Sequence, residues 1–193
     1  MRYSAEHKQE TRERIVRAAS RQFRGRGADG IAIADLMSQL HLTHGGFYRH
    51  FGSKDQLLVE AITEAIGEIG ARFRDEIKKV PPGSELRMII ERYLSPQHCA
   101  NPAEGCPIAA LSTEIPRYPR TVRAKIERAV REHLKGIARF LPGTTERERR
   151  LNCVLLFSGM AGVLNAARLT TDPEQRNAIL QRAKEFYTSA FCG

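Results

Sequence analysis

Between residues 43 and 54 stands a run of hydrogen-bond donors, Thr43, His44, Tyr48, Arg49, His50 and Lys54, set around Gly45-Gly46. Hydroxyls, imidazoles, a guanidinium and an ammonium are the groups that meet phosphate oxygens and base edges. Two glycines in a first helical turn cost roughly 1 kcal/mol each relative to alanine. The backbone there is therefore expected to lie close to something. Thr43 is placed to cap that helix, its hydroxyl taking the backbone N–H of Gly45 or Gly46. A phosphate or base edge suits the positive end of the helix dipole. Ser53 and Gln56 read as a capping box, which puts Lys54 in a first turn where a cation opposes the dipole. A phosphate facing that helix end would explain the lysine.

A second chemical group lies in the stretch CANPAEGCPIAAL, residues 99–111. Cys106 precedes a proline that begins a helix, so its thiolate could be stabilised there. It could then sense oxidants or electrophiles, with Cys99 as a resolving partner. Equally, Cys106 could be a small, half-buried space-filler. Cys99, Cys106 and His98 lack a fourth ligand and have loose spacing, so no metal site is expected. An enzyme using Cys106 with His98 or His133 as base would lack any recognised nucleophile signature, and would not need the constellation from Thr43 to Lys54. Neither enzymatic activity nor a cofactor is expected.

The elements that must position the first group are legible. Ile33 to Leu40 reads as a short helix, His41-Leu42 as a tight turn, Thr43 to His50 as a second short helix, and a long third one starts after Ser53. Leu36, Leu40, Leu42, Phe47 and Phe51 could close a small core. Two short helices across a tight turn form a helix-turn-helix, which places its second helix in the major groove of DNA. Upstream, a helix from about Ala5 to Arg24 carries Ile15, Ala19 and Phe23 on one face, and Gly25 and Gly27 end it. Residues before Ala5 are expected to be frayed.

The run Thr43-x-Gly45-x-Phe47-Tyr48-x-x-Phe51-x-x-Lys54, followed by Leu57-Leu58, resembles the DNA-binding region of the TetR (tetracycline-repressor-like) family of bacterial transcriptional regulators. The resemblance covers roughly Thr11 to Leu58, with ERIVRAASRQFRGRG as its first helix. It implies that Thr43, Tyr48, His50 and Lys54 touch phosphates, and that His44, Gly45, Gly46 and Arg49 lie against bases. Two positions depart from the family pattern. Ala32 stands where Ser or Thr commonly starts the second helix, and His41 stands at a turn position often held by glycine.

Composition agrees with a polyanionic partner. The 193 residues carry a formal net charge of +9, with Lys and Arg spread along the whole chain. The N-terminal residues MRYSAEHKQETRERI are charged throughout, so no signal peptide is expected. The longest apolar run, around Cys153 to Leu164, falls short of a membrane span. Four irregularly spaced cysteines read as reduced thiols in a cytoplasm.

Downstream the pattern is helical throughout. Leu58, Ile62, Ala65, Ile66, Ile69, Phe73 and Ile77 mark one face of a long helix that ends before Pro81-Pro82-Gly83. Ser84 can cap the next, with Leu86, Ile89, Ile90, Tyr93 and Leu94 inward; Ser95 to Pro107 reads as a loop. A short helix over Ile108–Ile115, a long one traced by Val122, Ile126, Val130, Leu134, Ile137 and Leu141 and ended by Pro142-Gly143, one from Thr145-x-x-Glu148 to about Leu169, and one from Asp172-Pro173 complete about nine helices. The expected fold is all-α. The resemblance implies a helix-turn-helix DNA-binding domain over residues 1–53 and a larger ligand-binding and dimerisation domain over residues 54–193.

Leu155, Gly159, Gly162 and Ala166 make a small-residue stripe, either for packing within one subunit or for a four-helix interface between two copies. The resemblance implies the second, with Ile179, Ala183 and Phe186 of the last helix also contributing. A dimer has an independent motive, since two reading helices address the two half-sites of a pseudo-palindrome. The resemblance further implies a small-molecule inducer held between the middle helices. Phe73, Met88, Tyr93, Cys106, Leu111, Phe157 and Met160 are candidate lining residues, with plain core as the alternative for each apolar one. Binding would tilt the reading heads and release the operator, as a repressor requires.

Overall fold

The computed structural model describes residues 5–193, so the fraying expected before Ala5 lies outside the described residues. Ten α-helices run α1 Ala5–Arg26, α2 Ile33–Gln39, α3 His44–Phe47, α4 Lys54–Ile77, α5 Glu85–Tyr93, α6 Pro96–Ala100, α7 Pro107–Leu111, α8 Arg120–Ala138, α9 Glu146–Leu169 and α10 Pro173–Cys192. Single 3-10 turns stand at Pro102–Glu104 and Ile115–Arg117, and the described residues contain no strand. The nine expected helices are all present. The tenth is α6, inside the stretch read as loop: Ser95 caps it by accepting from the His98 N–H at 3.1 Å, with Pro96 at the first position.

Local chemistry sets most of the boundaries. Gly27, at φ 80°, ends α1 in the left-handed conformation that glycine tolerates; Gly25 remains inside the helix. Thr145 and Glu148 form a complete capping box at α9, and Asp172 with Pro173 starts α10. Three caps differ from expectation. The Ser53 hydroxyl accepts from the Gln56 N–H at 3.1 Å, but the Gln56 side chain returns to the N–H of Gly52 (2.9 Å) rather than of Ser53. Thr43 and Ser84 make no side-chain cap at all. At 84 the reason is visible: Glu85 reaches back to the Gly83 N–H at 2.7 Å and satisfies the turn itself.

Two apolar clusters form the interior. One gathers Ile15, Ala19 and Phe23 of α1, Leu36 and Met37 of α2, Phe47, Phe51 and the first half of α4, and reaches Leu111, Val122 and Ile126. The other gathers Phe73, the inward faces of α5 and α9, and Leu141 and Leu180. Helix α4 runs through both, Leu57 to Ile66 in the first and Phe73 in the second, so a single rod joins the two cores. Helix α9 contains an 18-residue window with a mean hydropathy of 1.3, apolar enough by length and composition to cross a membrane. That exceeds the sequence expectation for this helix. Its apolar residues divide between a buried side (Cys153, Leu156, Met160, Leu164) and an exposed side.

Candidate nucleic-acid interface and cavity

The second helix of the helix-turn-helix is shorter than the sequence indicates. α3 is four residues, His44–Phe47, continued by turns through His50 whose amide donates to the Phe47 carbonyl at 2.9 Å. Phe47 and Phe51 stack at 5.4 Å beneath it and are buried, which fixes the outward direction of the rest. Thr43, His44, Gly45, Tyr48 and Arg49 are exposed, Gly46, His50 and Lys54 partly so. Tyr48 is 62% exposed, held edge-on between His44 (5.8 Å) and Phe47 (5.2 Å). Neither Arg49 nor Lys54 has an ion-pair partner among the described residues.

The glycines separate into two cases. A Cβ on Gly46 would stand 3.3 Å from the Thr43 hydroxyl and 3.7 Å from the end of the Met37 side chain, so Thr43 would have to give by a few tenths of an ångström. A Cβ on Gly45 would meet nothing within 4 Å. Its bareness serves no internal packing.

The turn before α3 is a Schellman motif. The N–H of Leu42 donates to the Met37 carbonyl at 2.9 Å, the N–H of His41 to Ser38 at 2.9 Å, and His41 itself sits at φ 58°. It is the one non-glycine residue with positive φ among those described. The departure at His41 thus costs backbone strain rather than altering the turn. At Ala32, the start of α2, no side-chain cap exists.

Charge converges on the same side. Burial lowers the pKa of His50, and Lys8, Arg12 and Arg49 lower it further, so this imidazole is neutral in a field of three cations. Its Nδ1 is buried without a hydrogen-bond partner among the described residues. Arg12 is fixed over the Phe51 ring at 4.7 Å and paired with Glu60 of α4 at 2.5 Å.

A cavity of ≈ 370 Å³ opens between α4, α5, the 95–108 segment, α8 and α9. Phe73, Tyr93, Cys106 and Phe157 line it; Leu111 is instead buried in the first core, Met160 in the second, and Met88 packs on that second core. Sequence reasoning missed its polar members, Arg72, Glu76, Arg92, His98, His133 and Ser158, because helical spacing of apolar residues was the signal followed. His98 is locked: Nδ1 donates to the Tyr93 carbonyl at 2.6 Å, and Nε2 accepts the Cys106 N–H at 3.0 Å. Only the Nδ1–H tautomer allows both. Burial first of all pushes its pKa down to about 4. With both nitrogens engaged, His98 cannot act as base for the Cys106 thiol.

The helix beginning at Pro107 is five residues long, too short to add a large dipole at Cys106. All four cysteines are free, Cys99 and Cys153 buried, Cys106 and Cys192 half-buried. Among the described residues no group of three His, Cys, Asp or Glu side chains is placed to hold a metal ion.

Buried Arg24 of α1 donates to the carbonyl of Gly105 at 2.9 Å and stands 3.6 Å from Glu68, while Arg21 meets the Glu104 carboxylate at 3.0 Å. The 102–106 segment therefore touches the cavity on one side and α1 on the other. On the far side of α9, Leu155 is 64% exposed, and Gly162 and Ala166 are exposed with it. Gly159 faces inward to its own chain: a Cβ there would run into the Tyr187 hydroxyl. Ile179 and Ala183 of α10 are half-buried and Phe186 is 61% exposed.

The family model described as bacterial regulatory proteins of the tetR family matches residues 15–61. The chain is 35% identical over 105 residues to an uncharacterised HTH-type transcriptional regulator of Mycobacterium tuberculosis, covering 53% of this chain and 52% of that one. It is 26% identical over 125 residues to the HTH-type transcriptional regulator LmrA of Bacillus subtilis, covering 64% of this chain and 66% of that one. The chain thus spans between about half and two thirds of the length of these curated relatives. A solved transcriptional regulator of the TetR family from Agrobacterium tumefaciens superposes with a TM-score of 0.73 at 21% identity, over 92% of this chain and 97% of that one, a likeness of fold.

Proposed function

This chain is a member of the TetR family of bacterial regulatory proteins, and from that premise we propose that it is a repressor that binds a pseudo-palindromic operator as a homodimer and is released by a small molecule. The observation that carries the reading is the outward face of α3: Thr43, His44, Gly45, Tyr48 and Arg49 exposed together above a sealed aromatic base. Thr43, Tyr48, His50 and Lys54 hold phosphates, which position the protein; His44, Gly45, Gly46 and Arg49 address bases, which specify the sequence. The Thr43 hydroxyl, unused as a cap, is free for that contact.

Residues 1–53 serve as the reading unit and residues 54–193 as the sensing and pairing unit, with the first half of α4 as their joint. Leu155, Gly162 and Ala166, with Ile179, Ala183 and Phe186, supply the pairing face, and a second copy brings the second reading helix. The inducer occupies the cavity beside Tyr93 and Phe157. Arg24 would carry the response, because movement of the 102–106 segment pulls on α1. A thiol-reactive inducer is the second branch, favoured by Cys106 standing in the cavity wall at partial exposure. The protein acts without enzymatic chemistry, on double-stranded DNA in the cytoplasm.

The test is footprinting on the DNA flanking its own gene, with affinity measured against scrambled DNA at one stated salt concentration. A paired footprint about one helical turn or more between centres, from a protein that sediments as a dimer, is expected. Equal affinity for scrambled DNA, or a monomer at working concentration, overturns the proposal.

A further inference from the structure

The geometry points to an uncharged, mostly apolar ligand that presents one hydrogen-bond acceptor, such as a carbonyl oxygen, to the hydroxyl of Tyr93. This rests on reading the cavity as the inducer site and adds the chemistry of what enters it.

Tyr93 lines the cavity at 3% exposure, and its buried hydroxyl makes no hydrogen bond of ordinary geometry among the described residues, with the Cys106 side chain as its polar neighbour. The ring is packed against two other rings. Phe157 meets it edge-on at 5.3 Å and His98 at 4.8 Å, both nearly perpendicular. A buried hydroxyl left unmet costs about 1–3 kcal/mol, which an acceptor arriving with the ligand recovers. Burial above all holds this phenol protonated, with its pKa raised well above the ordinary value, so it is a donor at any physiological pH. The polar neighbour at hand is the Cys106 thiol, a weak acceptor in the cavity wall that a ligand oxygen would displace from the hydroxyl.

The remaining walls argue against a charged guest. Arg92 is spent on Glu76 (3.4 Å) and on the Gln97 side chain (3.2 Å). Arg72 donates to the Glu104 carbonyl at 3.0 Å, and the Glu104 carboxylate is taken by Arg21. Two arginines and two glutamates line the cavity, so the formal charges cancel. His98 has both nitrogens occupied, and burial lowers the pKa of His133. Ile66, Ile69, Val130 and Leu134 supply the apolar contact, and ≈ 370 Å³ suits a molecule of two fused rings.

Four probes of one shape test this: 2-acetylnaphthalene, 2-ethylnaphthalene, 2-naphthoate and 2-naphthylmethylammonium, each titrated by equilibrium dialysis into the full chain without DNA. The ketone should bind about tenfold more tightly than the hydrocarbon and than either ion. In Tyr93→Phe the ketone's advantage over the hydrocarbon should vanish, while the thermal midpoint holds or rises, because the substitution removes an unmet polar group. Should that variant fail to fold, the ranking in the unaltered protein decides alone. A preference for the carboxylate would instead point to Arg72 as the anchor and overturn the inference; so would a preference for the ammonium, equal binding of ketone and hydrocarbon, an unchanged ketone preference in Tyr93→Phe, or binding of none. Footprinting on the same preparation reads the regulator assignment separately, so either can fail alone.

Discussion

The guanidinium of Arg24, on α1, donates to the carbonyl oxygen of Gly105, the residue before Cys106 in the cavity wall, at 2.9 Å. Arg24 is 3% exposed, and burial is the main influence lowering its pKa, opposed by Glu68. A buried charge with partners in two elements is costly to break and poor at rearranging quietly. Arg24→Met should lower stability by about 2 kcal/mol in urea unfolding, through the lost charge-assisted hydrogen bond. It should also raise hydrogen exchange at the amides of residues 103–106. Unchanged exchange there would show that Arg24 does not hold the segment.

Gly45 offers a cleaner separation of folding from binding. Because a Cβ at 45 meets nothing within 4 Å, Gly45→Ala should leave stability equal or raise it by up to about 1 kcal/mol. Affinity for the operator should nevertheless fall by at least about tenfold, since the methyl would stand between backbone and groove. Full DNA affinity in the alanine variant would mean that no partner approaches the backbone at this point.

His41 carries strain that a glycine would relieve. The turn requires φ 58°, where an L side chain crowds the following carbonyl at a cost of about 1–2 kcal/mol. His41→Gly should therefore raise the unfolding free energy by about 1 kcal/mol with the turn unchanged. A loss of stability would reveal a contact of the imidazole worth more than the strain.

The two glycines of α9 predict opposite outcomes. Gly159→Ala places its methyl against Tyr187 of the same chain and should destabilise the folded protein by about 1–3 kcal/mol. Gly162→Arg has open space within the chain and should fold normally, yet sediment as a monomer and lose operator affinity. A dimer of Gly162→Arg at micromolar concentration would remove this face from the interface.

His98 sets a pH dependence. The unfolded chain takes up a proton on this imidazole below about pH 6.5, whereas the folded protein does so only near its pKa of about 4. The unfolded state therefore binds more protons between those values, and stability present above pH 6.5 is lost as pH falls toward 4. Between pH 7.5 and 5 the loss from this group is about 2 kcal/mol. In His98→Gln the slope of unfolding free energy against pH over that window should flatten, whatever the variant's absolute stability.

Helix order, the breaks at Pro81-Pro82 and Pro142-Gly143, the caps at Thr145 and Asp172, and the donor-rich face around α3 were legible in the sequence. Each depends on contacts within a few residues, where spacing and side-chain type decide the outcome. Other features were settled only when distant segments met. α6 starts at a local cap, Ser95 with Pro96, but its last carbonyls, those of His98 and Cys99, are met by Arg168 of α9 at 3.2 and 3.1 Å. Arg24, ordinary in the one-dimensional pattern of α1, became a buried link because Gly105, far along the chain, folded onto it. The sequence marked Tyr93 as an inward apolar position; which end of it would be left without a partner depended on how α6 and α9 closed around the ring. Local chemistry chose the helices, and the polar geometry of the cavity came from packing between residues that no periodicity relates.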